Sequence, residues 1–175
     1  MNHEEFQQAA SYWMDKARGS SRMPEDKIVQ YVEGFLTSRN TCVLACAAGD
    51  FVRCTPLEYS YRDGAFWIFS EGGLKFHALE RNRNVGLAVY DPYADFGKLH
   101  SVQVSGVADI IDPDDDAFAE TARDKGIQDA ALPKIKKMLH LIRVEPWEVD
   151  YLCSELKDEG FDVRQHIELP VALSC

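Results

Sequence analysis

The chain has 175 residues, 46% of them hydrophobic and 27% charged, the balance of a single globular domain long enough to bury a core. Its formal net charge of −10 argues against non-specific binding to nucleic acid but leaves room for local positive charge that could hold a small anion. No stretch approaches the ~20 apolar residues of a membrane span, and the N-terminus lacks the basic lead and apolar run of a signal peptide.

Residues 4–17 set Phe6, Ala9, Ala10, Trp13, Met14 and Ala17 at helical spacing, forming one apolar stripe. A second helix opens at Met23-Pro24-Glu25-Asp26, with proline and acids in its first turn. Ile28, Val32, Phe35 and Leu36 mark its buried face. Residues 1–40 are therefore expected as a helical extension packed on the body or on a partner subunit, and residues 41–175 as the main domain.

From Thr41 the period changes to two. "TCVLACAA" reads as a strand, Gly49-Asp50 as a hairpin turn, and "FVRCTPLEYSY" as the returning strand. Pro56 in that strand marks an edge or a bulge. A second turn at Asp63-Gly64 leads to "AFWIFS", where Trp67 and Phe69 point to one side and Phe66 and Ile68 to the other. A glycine loop and short helix follow, then strands "VGLAVYD" and "HSVQVSGVADII", the latter with a bulge expected at Gly106. The run from Asp112 to Asp116 opens a helix ended by Gly126, and Pro133 opens another. "LHLIRVEP" and "WEVDYL" read as two closing strands ahead of a polar tail. This order, mostly antiparallel strands with few helices, indicates a barrel.

The stretch "SEGGLK", residues 70–75, raises a chemical question. A cation in a helix's first turn is unfavourable by ~0.3–1 kcal/mol unless an anion lies beside it. In one reading Glu71 pairs with Lys75 across an ordinary turn. In the other, Gly72-Gly73 allows close approach of a ligand, and the Ser70 hydroxyl, the helix N-terminus and Lys75 hold a phosphate.

Other candidates are weaker. The five cysteines show no zinc-type spacing and read as reduced thiols of a cytoplasmic protein, Cys42 and Cys46 being small core residues. The histidines lack metal-ligand spacing, so no metal site is expected; His77 and His100 either face a ligand or lie on the surface. Tyr90, Tyr93 and Phe96 either roof a flat ligand or pack on their own domain. "DPDDD" suits helix capping and lacks the calcium-loop pattern.

The segments "VRCTPLEY", "AFWIFSEGGLKFHALERNRNVGLAVYDP" and "HSVQVSGVADIID" together resemble the pyridoxamine 5′-phosphate oxidase-like family of FMN-binding split barrels. The likeness covers residues 35–111 and, more loosely, "RVEPWEVDYL". It implies a mainly β fold with peripheral helices, a six-stranded antiparallel split β-barrel, forming a homodimer with FMN at the subunit interface. By that resemblance Lys75 holds the FMN phosphate beside Gly73, and Arg53, Cys54, Thr55 and Pro56 lie along the flavin-binding strand. Ile68, Phe69 and Ser70 line the site at a strand end, and Ser101 stands where the vitamin oxidases have a flavin-contacting glutamine.

There are departures from the vitamin-oxidase branch. Leu74-Lys75 replaces an Arg-Lys pair, Glu58 replaces a substrate-binding lysine, and Trp147 and Arg164 do not reproduce the C-terminal motif. The implied function is thus a flavin-dependent oxidoreductase acting on a small organic substrate, reduced by a nicotinamide or another donor, rather than the vitamin oxidase. A flavin store or sensor without turnover, and a split barrel that has taken haem or a deazaflavin, stay open. No residue is nominated as a catalytic acid or base.

Overall fold

The computed structural model describes residues 1–92 and 95–169. Two helices, α1 (His3–Ala17) and α2 (Glu25–Thr37), precede strands β1 (Thr41–Ala48), β2 (Phe51–Glu58), β3 (Ser60–Arg62) and β4 (Ala65–Ser70). Helix α3 (Lys75–Leu79) leads to β5 (Asn84–Tyr90) and β6 (His100–Ile111); α4 (Asp116–Asp124) and α5 (Leu132–Met138) lead to β7 (His140–Cys153) and β8 (Arg164–Glu168).

The sheet order is β2-β1-β5-β6-β7-β4-β3, every pairing antiparallel, with β8 added to β7. The chain passes from β2 to β3 through Tyr59 alone, so one run of backbone pairs with β1 at one edge and β4 at the other. That run closes the sheet on itself and gives the split barrel. Tyr59 fixes the seam: its side chain is 1% exposed, and its hydroxyl donates to the Leu36 carbonyl at 2.8 Å.

Counted singly, the described residues hold eight strands, against the seven read along the sequence and the six that the resemblance implies. The run expected as one strand from Phe51 divides at Tyr59. The two strands expected on either side of Pro146 are one, β7, and the expected polar tail supplies β8. Pro146 is accommodated because the register slips there: Gly106 faces Pro146 while Ser105 faces Glu148, leaving Trp147 as the extra residue. The bulge expected at Gly106 thus sits on the opposite strand. Gly106 itself is required by close approach, since a Cβ there would lie 2.7 Å from the Glu145 carbonyl oxygen and 2.9 Å from Val144 Cγ1.

Phe66 and Ile68 point into the main core with Leu44, Val102, Val104 and Ile142, while Trp67 joins Phe118 and Leu141 in a second core under α4. Both faces of β4 are therefore covered. Helix α2 buries Ile28, Val32, Phe35 and Leu36 in the main core as its spacing predicts. The stripe of α1 is not buried: Phe6, Trp13 and Met14 stay 60%, 48% and 66% exposed.

Where α2 meets the barrel, Arg39 grips Asp91 through Nε at 2.9 Å and stacks over the Phe35 ring at 3.9 Å. The His100 ring lies 4.1 Å from Phe35, and its Nε2 is 2.8 Å from the Tyr151 hydroxyl. Burial, then the Arg39 charge, push the His100 imidazole below its ordinary value of 6.5. A group whose folded-state pKa is depressed in this way is neutral in the native protein and must be charged against the fold in acid. Stability from this site is complete above the unfolded value and falls as the pH drops through it. Urea midpoints between pH 8 and 5 should fall in the native protein, and His100→Gln should flatten that fall. Gly106→Ala should cost about 1–3 kcal/mol of unfolding free energy, because the nearest obstructing atom is the backbone oxygen of Glu145, which cannot turn aside; chemical denaturation reads it directly.

Candidate functional site

Strand β4 ends at Ser70, whose hydroxyl closes the next turn by donating to the Gly72 carbonyl and accepting from the Gly72 N–H, both at 3.2 Å. Gly72 and Gly73 hold φ of 127° and 102°, values that L side chains rarely adopt. The turn aims Lys75 inward. Lys75 is only 6% exposed, and its ammonium donates to the Gly72 carbonyl.

Glu71 does not supply the missing charge: it is exposed, and among the described residues no carboxylate pairs with Lys75. The neighbouring charge is a second cation. Burial pushes the Lys75 ammonium below its ordinary value, and the Arg53 guanidinium pushes the same way. Cys46 lies under both, its thiol 3.8 Å from the Lys75 and Arg53 carbonyl oxygens, and burial raises that thiol above its usual range. A buried ammonium with a guanidinium on the neighbouring strand, and no acid paired with either among the described residues, suits a small polyanion.

The amides of α3 contribute less than the sequence implies. Phe76 N–H and His77 N–H are already bonded to the carbonyls of Gly73 and Leu74, both at 3.1 Å. Anion recognition here therefore depends on side-chain charge.

The other expected residues divide. On β2, Arg53, Cys54 and Pro56 are exposed and Thr55 half-buried. Ile68 is a core residue with 0% exposure, and Phe69 packs edge-on against Phe118 at 5.1 Å, so Ser70 alone of that trio presents its side chain at the loop. Ser101 is distant. It pairs with Tyr90 and Leu152, whereas Ser70 pairs with His140 beside the Leu141–Ile111 pair, at the opposite end of β6. Ten residues of strand from Ser101 to Ile111 span roughly 30 Å.

His140 was not singled out from sequence. It sits opposite Ser70 with its ring 4.9 Å from Phe76, and only strand pairing reveals it. His77 is exposed, within 3.1 Å of an Arg81 guanidinium nitrogen. Tyr90 is 60% exposed, and Tyr93 lies outside the described residues. No group of histidine, cysteine and acid side chains among the described residues is arranged to hold a metal.

The sequence pattern of the family described as pyridoxamine 5′-phosphate oxidase matches residues 28–153. The chain belongs to the pyridoxamine 5′-phosphate oxidase family. The match takes in every expected site residue from Arg53 to Ser101 and leaves α1 and β8 outside it.

Solved structures share the barrel. A FAD-binding protein from Mesorhizobium loti has 23% identity and a TM-score of 0.55, over 69% of this chain and 89% of its own. HutZ, the haem storage protein of Vibrio cholerae, has 14% identity and a TM-score of 0.56, over 67% and 88%. ChuZ of Campylobacter jejuni has 16% identity and a TM-score of 0.64, over 96% and 69%. At these identities the likeness is one of fold. No curated protein sequence matched the chain.

An ammonium buried without a counter-ion opposes folding. Lys75→Met, which keeps the stem and removes the charge, should raise the ligand-free unfolding free energy by about 0.5–2 kcal/mol. Thermal melts of the two proteins side by side provide the check.

Proposed function

We propose that this member of the pyridoxamine 5′-phosphate oxidase family binds FMN and serves as a flavin-dependent oxidoreductase for a small organic substrate. The observation that carries the reading is the Lys75 ammonium, buried beside the Arg53 guanidinium with no acid to pair it. A phosphate monoester supplies that charge, and the left-handed Gly72-Gly73 backbone lets it come close. Ser70 shapes the loop, and the exposed edge of β2 from Arg53 to Pro56 offers a surface for the isoalloxazine. Bound FMN would supply two-electron chemistry, and the chain would supply position, charge and access.

We further propose a homodimer with the flavin between subunits. Strand β2 is largely exposed, with Val52 69% exposed, and such an open strand calls for cover. A partner copy also offers a way for Ser101 to reach a flavin held by Lys75 of the first. Reduced thiols, four of them free among the described residues, support a cytoplasmic setting, and no helix among those residues is long and apolar enough to cross a membrane.

The test is the chromophore. The purified protein should show a flavin absorption spectrum and release FMN on heating, and reduction by a nicotinamide donor should separate an oxidoreductase from a store. A haem spectrum would replace the reading with haem binding, and a colourless protein that takes up no FMN would end it. Lys75→Ala should weaken FMN binding by about 1.5–3 kcal/mol, the loss of one charge-assisted hydrogen bond, as read by fluorescence titration of the flavin.

A further inference from the structure

Helix α1 does not lie flat on the barrel. Between it and the ladder formed by β7 and β8 there is a cavity of about 510 Å³, within the range of roughly 300–1,000 Å³ typical of small-molecule sites. Its helix wall and its β8 wall both lie outside the residues matched by the family pattern.

Three features of the lining point to a ligand. First, Trp13, Met14 and Val163 all line it while remaining 48%, 66% and 37% exposed, an apolar wall left partly open to solvent. Second, the acids of the lining are engaged. Glu148 accepts from the Ser105 hydroxyl at 2.9 Å, Asp150 faces His166 Nδ1 at 3.3 Å, and Asp162 accepts from the Ser21 N–H at 2.8 Å.

Third, three of the bases are not, although Arg18 pairs with Asp15 at 3.1 Å. Among the described residues no carboxylate pairs with Arg164, Arg22 or Lys16. The Arg164 Nε–H is shut off from solvent without an acceptor. Its guanidinium stands 4.8 Å over the Trp13 ring, with the Lys16 ammonium 4.9 Å from the same ring. Cations without a carboxylate beside a half-exposed indole form a recognition pair for an anion carrying a flat apolar group.

We propose that the cavity between α1 and β8 is a binding site for a small aromatic carboxylate, its acid group held by Arg164 and its ring against Trp13, Met14 and Val163. The site is formed within one chain and does not rest on the proposed flavin chemistry. Arg164 gives the sign of the charge, and the α1 wall, absent from the family pattern, selects for a ring.

The test is calorimetric titration of the full chain with 2-naphthoate, and with 2-naphthylmethylamine as the cation of matching shape. The wild type should bind the acid and not the amine. Arg164→Gln should weaken naphthoate at least tenfold, and Trp13→Ala, a change at an exposed position that leaves the core untouched, should weaken it severalfold. Equal affinity in all three proteins, preference for the amine, or no binding by the wild type would each overturn the proposal. Repeating the titrations with FMN added separates the two sites: undiminished naphthoate binding supports a distinct site, and its loss would assign the cavity to the flavin and overturn this proposal alone.

Discussion

Strand β7 has to serve two neighbours along one edge. Its other edge is occupied by β6 from end to end, but on this side β4 takes residues 140–144 and β8 takes 148–152. A flat sheet cannot lead both away without collision, so β7 must bend between them. The bend is provided by Trp147, the unmatched residue, and by Gly106, the residue small enough to let the backbones touch. From that bend the two ends acquire separate tasks. β4 carries Ser70 and the glycine loop at one end, and β8 carries Arg164 and His166 at the other.

Electrostatics act locally on this frame. With a formal net charge of −10 the molecule as a whole repels anions, and any anion site must be built from a few cations placed where acids are kept away. Lys75 with Arg53 is one such place; in the cavity under α1, Arg164, Lys16 and Arg22 share the lining with acids that other groups engage. Several other cations are neutralised, as with Arg39 against Asp91 or Lys27 against Glu159. A buried cation left without an acid is the informative case, since it detracts from stability unless a ligand offsets it.

Legibility in the sequence follows the range of the determining interaction. The hairpin at Asp63-Gly64 is written locally, and both residues do take positive φ, 52° and 73°. The face of α2 is local too, a matter of helical spacing. Strand β8 was not legible: of "RQHIE" only Gln165 and Ile167 are buried, and what makes it a strand is pairing to β7. The break read at Pro146 failed for a related reason, because a bulge that spares the missing N–H exists only once β6 is in place. In the candidate site, Lys75 and the glycines could be found from a six-residue stretch, whereas His140 is joined to them solely by the register of β4 on β7. Whether Glu71 neutralises Lys75 was open in the sequence, since adjacency permits the pair, and it was the turn's left-handed backbone that decided against it.

The separation of Ser101 from Lys75 bears on the assembly. The family resemblance places both against one flavin, yet Lys75 lies against Cys46, which aligns across the sheet with Val85 and Gly106, whereas Ser101 pairs with Tyr90 and Leu152 near the start of β6. If both are flavin residues, the proposed dimer offers a way for two chains to supply them. The exposed edge of β2 lies with the Lys75 half, since Cys46 joins Arg53 and Lys75 through their carbonyls. A partner covering that edge would close over the isoalloxazine surface while the phosphate end stays within one subunit, where the buried ammonium already holds its place.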